Sequence, residues 1–217
     1  TWLEAGHCDW FWLRRARRVA QAAPNPCIRV FEGHQKQIVG ACVLDARVLS
    51  WSKDNTLRLW DADSGTSLIT FEGHRKWING VALLSDDRVV SWAADNTLRI
   101  WDGQTGSELA RLEGHRKWVT GALLTPDHRI LSWSKDNTLR LWDAESGTCL
   151  ATLDGHQHLI RGAQVLPSGQ LLSWSNDATL RIWDSNGSPI ATLSQHEGIV
   201  RDVCGITDER ILSIGND

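Results

Sequence analysis

The chain has 217 residues, with 23 Lys and Arg against 26 Asp and Glu and a formal net charge of −3. A hydrophobic content of 41% and a charged content of 23% exclude a disordered or fibrous chain. The near-neutral charge balance excludes a strongly electrostatic nucleic-acid-binding protein. No apolar run reaches the ~20 residues of a membrane span, so we expect no membrane partner. Thirteen residues are Trp and none is Tyr, a bias that the fold has to explain.

Residues 1–26 differ in composition from the rest of the chain. They contain several aromatic residues and the basic run Arg14-Arg15-Ala16-Arg17-Arg18. Apolar residues at helical spacing predict a helix over residues 9–22, followed by a short stiff linker that contains Pro24 and Pro26. An aromatic, basic helix can bind a membrane surface. We favour the alternative, in which this is the last helix of an upstream domain.

The five cysteines form no C-x-x-C pair, so they indicate neither a disulfide framework nor a zinc site. We expect free thiols in a reducing compartment, the cytoplasm. No pattern in the chain indicates a metal site or a cofactor.

A repeat of 40 or 41 residues runs from residue 27 to the end of the chain. The dipeptide Gly-His occurs four times at this spacing, with a fifth copy at Gln195-His196, and Trp-Asp occurs four times. Between them, the segment L-S-W-S-K-D-N-T-L-R-L-W-D at residues 49–61 recurs with few changes. A period of ~40–45 residues with these two signatures is typical of propeller blades with four strands each.

This pattern resembles the WD-repeat β-propeller family over residues 27–217. The resemblance implies an all-β fold with four complete four-stranded blades and a partial fifth, and the helix predicted from apolar spacing precedes it as a short helical segment. It divides the chain into two parts: residues 1–26, a helical segment and linker, and residues 27–217, an incomplete propeller. Because a single small sheet is unstable in water, the blades are expected to stack face to face.

The first repeat shows how the strands are predicted. Residues 47–52 and 56–60 are β-prone and flank a turn, and their pairing places Trp51 opposite Leu57 and Ser50 opposite Arg58. Further strands are predicted at residues 38–44 and 67–71. One face of the hairpin then carries Leu49, Trp51, Leu57 and Leu59. Eight of the thirteen Trp recur at two equivalent positions of each repeat, one in each of the two hairpin strands. We interpret them as packing between blades.

Each of the four repeats also carries one His, one Ser, one Asp and one Trp, which invites comparison with a hydrolytic triad. An enzyme does not need four equivalent triads, however. The WD-repeat resemblance implies instead a buried hydrogen-bond relay from Trp to Ser to His to Asp, with no catalytic residue and no metal ligand. The predicted relay residues are His34, Ser50, Asp54, Trp60, His74, Ser91, Asp95, Trp101, His115, Ser132, Asp136, Trp142, His156, Ser173, Asp177 and Trp183.

In this family, the loop after Gly-His and the turn around the Asp form the usual partner surface. Here the second and third repeats present Arg-Lys-Trp twice in that loop. Since Arg and Trp are enriched at interface hot spots, we expect a protein or peptide partner of acidic character. The alternative is that these Trp only cover the first strand of their blades. The candidate partner-binding residues are Lys53, Arg75, Lys76, Trp77, Arg116, Lys117, Trp118, Lys135 and His158.

The fifth repeat has His196, Ser213 and Asp217, and the sequence stops before its Trp. Residues 27–31 read as an outer strand, expected to join residues 199–204 and 210–214 in a fifth blade of three strands. We interpret the chain as a fragment of a larger propeller. An open arc of this kind exposes sheet edges and is expected to self-associate.

The Trp-rich second strand, L-S-W-S-x-D, resembles the repeat arrays of large bacterial multidomain signalling proteins. We therefore expect a non-catalytic interaction scaffold, the sensor or partner-recognition array of a larger regulatory protein. A structural self-assembly module is one alternative, and a hydrolase that uses one Ser-His-Asp set is another, less favoured.

Overall fold

The computed structural model describes residues 29–84, 87–207 and 210–216, and within these residues the chain is all-β. Eighteen strands and no helix occur in the described part. The helix predicted at residues 9–22 and the boundary predicted after residue 26 lie outside the described residues.

Four antiparallel sheets of four strands correspond to the four complete repeats, and in each sheet the strands are neighbours in chain order. Blade 1 contains β1 (Ile38–Leu44), β2 (Arg47–Ser52), β3 (Leu57–Asp61) and β4 (Ser67–Phe71). Blade 2 contains β5 (Ile78–Leu83), β6 (Arg88–Ala93), β7 (Leu98–Asp102) and β8 (Glu108–Leu112). Blade 3 contains β9 (Val119–Leu124), β10 (Arg129–Ser134), β11 (Leu139–Asp143) and β12 (Cys149–Leu153). Blade 4 contains β13 (Ile160–Val165), β14 (Leu171–Ser175), β15 (Leu180–Trp183) and β16 (Pro189–Leu193).

The fifth repeat forms a partial blade. Its described part is a two-stranded sheet of β17 (Asp202–Thr207) and β18 (Arg210–Ile214). The prediction that residues 27–31 add a third strand here is wrong for residues 29–31, which form no strand. The ring of Phe31 instead lies 5.8 Å from that of Trp60, so this segment packs beside blade 1.

The predicted hairpin register is confirmed. Trp51 pairs with Leu57 and Ser50 pairs with Arg58 across β2 and β3. Because side chains alternate along a strand, this register sends the apolar set to one face of blade 1 and the Ser and Arg to the other. The same register recurs in the next three blades.

The hydrophobic core lies between the blades. Leu49 and Leu57 of blade 1 pack with Ile78, Val89 and Trp101 of blade 2, and all five are buried. Equivalent clusters join blade 2 to blade 3, blade 3 to blade 4, and blade 4 to the partial blade. The third-strand Trp of blades 2, 3 and 4 packs against the preceding blade, and all four third-strand Trp are only 1% exposed. Two Trp per repeat therefore serve the stacking of blades, which accounts for most of the Trp bias.

The Trp of each second strand lies over a glycine in the first strand. A Cβ atom added at Gly40 would lie 2.4 Å from the Trp51 ring, and one at Gly121 would lie 2.2 Å from the Trp133 ring. No side chain fits in that space, so the indole and the glycine occupy it together.

Candidate functional site

The relay of blade 1 joins two strands, a loop and a turn. Trp60 donates from Nε1 to Oγ of Ser50 at 2.8 Å. The same oxygen lies 2.8 Å from Nε2 of His34, and Nδ1 of His34 lies 2.8 Å from Oδ2 of Asp54. The four side chains thus form one continuous chain of hydrogen bonds.

The same contacts recur in blades 2, 3 and 4. The Trp Nε1 to Ser Oγ distances are 2.8, 2.8 and 2.9 Å, and the His Nε2 to Ser Oγ distances are 2.8, 2.9 and 2.9 Å. The His Nδ1 to Asp Oδ2 distances are 2.9, 3.0 and 2.8 Å. The residues in these three blades are Trp101, Ser91, His74 and Asp95; Trp142, Ser132, His115 and Asp136; and Trp183, Ser173, His156 and Asp177.

The relay carboxylates are ionised at neutral pH. Burial alone would raise the pKa of Asp54, but hydrogen bonds from the Thr56 hydroxyl, the Gln35 N–H and His34 lower it to about 2. The same balance lowers the pKa of the equivalent carboxyl groups in the other blades, to about 2 at Asp177.

The relay histidines of blades 1 and 4 are neutral at pH 7. Burial lowers the pKa of His34 and His156, and this effect outweighs the neighbouring carboxylates, which raise it. A neutral imidazole has one donor and one acceptor nitrogen, and an ionised carboxylate only accepts. Nδ1 therefore donates to the Asp, and Nε2 accepts from the Ser hydroxyl. Each Ser oxygen in turn accepts the Trp N–H, so every polar group in the relay is satisfied.

This geometry disfavours a nucleophilic role for the relay serines. Ser50, Ser91, Ser132 and Ser173 have no exposed surface, and each hydroxyl already has two partners within the relay. The relay carboxylates also accept hydrogen bonds from backbone N–H groups of the surface loops. Asp95 accepts the Arg75 N–H at 2.8 Å, and Asp136 accepts the Arg116 N–H at 2.7 Å. The relay thereby fixes the loops that carry the candidate partner-binding residues.

Four of those residues form a contiguous cluster, which we name the rim cluster: Lys53, Trp77, Trp118 and Lys135. The two indole rings meet edge to face, with centroids 5.2 Å apart and an interplanar angle of 81°. Lys53 Nζ lies 5.4 Å from the Trp77 ring, and Lys135 Nζ lies 4.0 Å from the Trp118 ring. The side chains come from three consecutive blades; Lys53 and the two Trp are half-buried, and Lys135 is exposed.

The rim cluster is flanked by exposed cations. Arg75, Lys76, Arg116 and Lys117 immediately precede the two Trp and are all exposed. His158, at the equivalent loop of blade 4, is exposed as well, and its carbonyl accepts the Ser175 hydroxyl at 3.0 Å. The structure therefore brings the predicted residues of blades 1, 2 and 3 together in one patch and leaves His158 in the next loop along the rim.

Sequence reasoning missed two arginines on the same rim. Arg161 and Arg201, each five residues after a relay-position His, line an open cavity with Ile199 and Asn216. Arg161 Nε donates to Oδ1 of Asn176 at 2.6 Å. Their common position five residues after the His could have revealed them in the sequence. The other three repeats, however, carry an uncharged residue at that position.

The third-strand arginines stack on the third-strand Trp rings. The guanidinium of Arg58 lies 5.7 Å from the Trp60 ring, and the equivalent distances in blades 2 to 4 are 5.8, 5.8 and 6.0 Å. A Cβ at Gly33 would lie 2.8 Å from Arg58 Nη1, so the glycine of Gly-His leaves room for this stack. Arg99 is buried and the other three are half-buried, and each is held against its Trp ring rather than beside the rim cluster.

Neither a metal cluster nor a membrane helix is found in the described residues. No group of three or more His, Cys, Asp or Glu in this part of the chain could hold a metal ion. No helix here is long and apolar enough to cross a bilayer.

Curated relatives match one to two repeats of the chain. Ribosome assembly protein 4 of Chaetomium thermophilum is 40% identical over 57 residues, 25% of this chain and 11% of the relative. Nuclear distribution protein PAC1 of Saccharomyces cerevisiae is 36% identical over 64 residues, 27% of this chain and 13% of the relative. The matched segment thus spans a small part of either relative's length.

Solved structures match most of the chain. A computationally designed protein, Ika8, has a TM-score of 0.75 and 30% identity over 87% of this chain and 58% of its own. The WD40 β-propeller domain of Doa1 has a TM-score of 0.65 and 24% identity over 85% of this chain and 62% of its own. The second likeness concerns the fold alone.

The family described as WD domain, G-beta repeat matches four segments of the chain, residues 25–61, 65–102, 106–143 and 147–184. These segments contain the four relays and every strand of the four complete blades except β16 (Pro189–Leu193). The chain belongs to the WD40 repeat family.

Proposed function

We propose that this chain is a non-catalytic protein–protein interaction scaffold whose rim binds an acidic peptide or protein. WD40 repeats are typical of such scaffolds. The observation that supports an acidic partner is the rim cluster, in which two indoles in contact lie between two lysines and four more cations surround them.

The charge of the rim favours carboxylates. The rim cluster and its flanking residues contribute six cations, and the relay carboxylates beneath them are already engaged by backbone N–H groups and histidines. An acidic segment would therefore meet uncompensated positive charge, which steers association and selects against basic partners.

The aromatic pair is already ordered for binding. Trp77 and Trp118 support each other edge to face, and each carries a lysine on its ring. Because the two indoles are half-buried before a partner arrives, they have little conformational entropy left to lose on binding. An apolar side chain of the partner would rest on the indoles while its carboxylates meet the cations.

Binding of a labelled peptide of alternating Glu and Leu, followed by fluorescence anisotropy, tests this proposal. We expect the double variant Arg75→Glu, Arg116→Glu to weaken binding at least ~tenfold, and Trp77→Ala to do the same through lost contact area. Arg111→Glu is the matched control, because Arg111 is an exposed cation on β8 paired with Glu113 and not part of the rim. Equal affinity in all variants would exclude the rim as the binding surface.

The proposal also includes the larger protein in which this chain acts. We infer a propeller over residues 27–217 preceded by a separate segment over residues 1–26, in a larger cytoplasmic regulatory protein of the bacterial multidomain type. The free thiols of Cys42, Cys149 and Cys204 are in keeping with a reducing compartment. The support for the multidomain setting is the near-identity of the repeats and the basic, aromatic composition of residues 1–26.

Self-assembly is a second candidate, favoured by one specific observation. Leu212 and Ile214 on β18 are 57% and 58% exposed, and among the described strands β18 pairs only with β17. An apolar strand edge of this kind is a template for pairing with another chain. Sedimentation of wild type and of Leu212→Lys distinguishes the two candidates. Assembly predicts an oligomer that the variant abolishes, whereas a scaffold remains monomeric in both.

A further inference from the structure

A groove lies between blades 1 and 2 at the end of the blades opposite the rim. In an antiparallel four-stranded blade, the turn between the second and third strands is at one end and the other two turns are at the opposite end. The groove is a cavity of about 300 Å³ beneath the latter turns. Its walls are the buried side chains of Leu49, Leu59 and Phe71, and its mouth is formed by Val43 and Leu83, each 43% exposed.

Blade 1 is built differently from its neighbours at this point. The link between β1 and β2 has two residues, Asp45 and Ala46, whereas the equivalent links in blades 2 and 3 have four. Arg88 and Arg129, at the starts of β6 and β10, donate to the backbone carbonyls of Ala144 and Ser185 in the following blades, at 2.9 and 3.0 Å.

Arg47 occupies the same position at the start of β2 and lines the groove. Within the described residues, no hydrogen bond joins it to Gly103, the corresponding residue of blade 2. The contact that joins the next two pairs of blades is therefore not made between blades 1 and 2, and the guanidinium of Arg47 remains in the wall of the cavity.

The surface around the groove is acidic. The turns of blades 1 and 2 at this end carry a set of carboxylates that we name the acidic face: Asp45, Asp61, Asp63, Asp87 and Asp102. Hydrogen bonds from Ser64 lower the pKa of Asp61, and hydrogen bonds from Thr105 lower that of Asp102, so both are ionised at neutral pH. The nearest cations on these strands are Arg47 and Arg88, fewer than the carboxylates.

The chain enters blade 1 on this same face. The carbonyl oxygen of Val30 lies 3.3 Å from the position of a Cβ on Gly65, in the turn after β3, and the charge of Arg29 acts on Asp61 of that turn. The described part of the chain therefore begins at the acidic face. The sequence before Arg29 contains Trp10, Phe11 and Trp12, directly followed by four arginines within residues 14–18.

We propose that residues 10–18 dock on the acidic face, with an aromatic side chain in the groove and the arginines on the surrounding carboxylates. Ten residues lie between Arg18 and Arg29, and the eleven steps along the backbone can span about 36 Å, whereas stacked sheets are only ~10 Å apart. The cavity corresponds to roughly ten water molecules, room for an indole ring. The guanidinium of Arg47 at the wall then lies against the aromatic face.

Limited trypsin digestion of the full chain tests the proposal, with cleavage after the arginines of residues 14–18 followed by mass spectrometry. We expect slow cleavage in the wild type and cleavage about tenfold faster in Leu83→Asp, which places a charge at the mouth of the groove. Leu109→Asp is the matched control, since Leu109 is 52% exposed on β8 and lies away from the groove. A second variant, Asp61→Asn with Asp102→Asn, should also accelerate cleavage and reduce the effect of added salt.

Near-ultraviolet circular dichroism of each variant verifies that the blades remain folded. Equal cleavage rates in wild type, Leu83→Asp and the Asn variant would overturn the proposal, as would equal acceleration by Leu109→Asp. Protection that rises with protein concentration would also overturn it, because the groove would then hold the segment of a second copy.

Discussion

Blade 3 and the partial blade share the start of the same repeat but differ in how much of it is buried. In blade 3 the relay is complete, and Trp142 and Ser132 are at most 1% exposed. In the partial blade His196 still lies 2.7 Å from Ser213, while Ile214 beside it is 58% exposed. The local hydrogen bond thus needs only two strands, whereas burial needs the third strand and a following blade. Stability should therefore be concentrated at the complete blade boundaries.

Acidification should produce the largest effect, because it acts on all four relays at once. His34 and His156 have folded pKa values below 6.5, so their contribution is complete above pH ~6.5 and decreases as the pH falls towards the folded pKa. The pKa of about 2 at Asp54 and Asp177 removes a further contribution between pH ~4 and ~2. Urea unfolding measured from pH 8 to pH 2 should show stability that decreases in these two ranges. A flat profile between pH 8 and pH 3 would contradict the linkage.

Trp142→Ala should be more damaging than removal of any single relay hydrogen bond. It empties a buried site between blades 2 and 3 and is expected to cost about 3–5 kcal/mol of unfolding free energy. Ile214→Ala in the partial blade should cost less than about 1 kcal/mol, since that side chain is mostly in solvent. Urea titrations of both variants test the contrast, and similar losses would mean that the partial blade is as well packed as blade 3.

Ser132→Ala should cost less, about 1–3 kcal/mol, because it leaves the buried Trp142 N–H and the His115 Nε2 without a partner. Ser213→Ala removes only the contact to His196 in a half-exposed setting and should cost under about 1 kcal/mol. Thermal unfolding of the two variants measures this difference. A loss at Ser213 equal to that at Ser132 would show that the relay does not depend on burial.

Ala178→Asn should give the smallest effect, and one of opposite sign. Ala178 has a φ of 65°, a left-handed conformation that the other repeats assign to Asn55, Asn96 and Asn137. Asn tolerates this region better than Ala, so we expect a gain of about 0.5–1 kcal/mol. Asn137→Ala is the reciprocal control and should lose a similar amount or more, since Asn137 also donates to the Gln157 carbonyl at 3.2 Å. A loss of stability in Ala178→Asn would contradict the strain argument.

The elements that repeat were predictable from the sequence, and the elements that lie between repeats were not. The register of Trp51 opposite Leu57 follows from a period of two and a turn of fixed length. The distance between Trp77 and Trp118 depends on the angle between blades, which no pattern within one repeat encodes. For the same reason, the groove beneath the short turn at Asp45 and the cavity at Arg161 were not foreseen.

The failed prediction of a strand at residues 27–31 has a physical explanation, and the strand predicted at 199–204 is displaced to Asp202–Thr207. Residues 28–31 resemble the outer strand before each Gly-His, as Phe71 does before Gly73. A strand also needs a paired neighbour, and residues 29–31 have contacts with Trp60 and Gly65 of blade 1 instead of a sheet to join.

The pairing of each second-strand Trp with a first-strand glycine has a consequence for how the repeats can change over time. In the four complete blades the two residues occur together, and in the partial blade both differ, with Asp202 opposite Ile214 where Gly162 pairs with Trp174. A Trp in the second strand fits only if the opposing first-strand residue is glycine. If the Trp is replaced by a smaller residue, a cavity remains beside the glycine. Duplication of a whole repeat copies both halves at once, whereas point mutation has to pass through a clash or a void. The near-identity of the blades is therefore easier to inherit by copying than to reach one residue at a time.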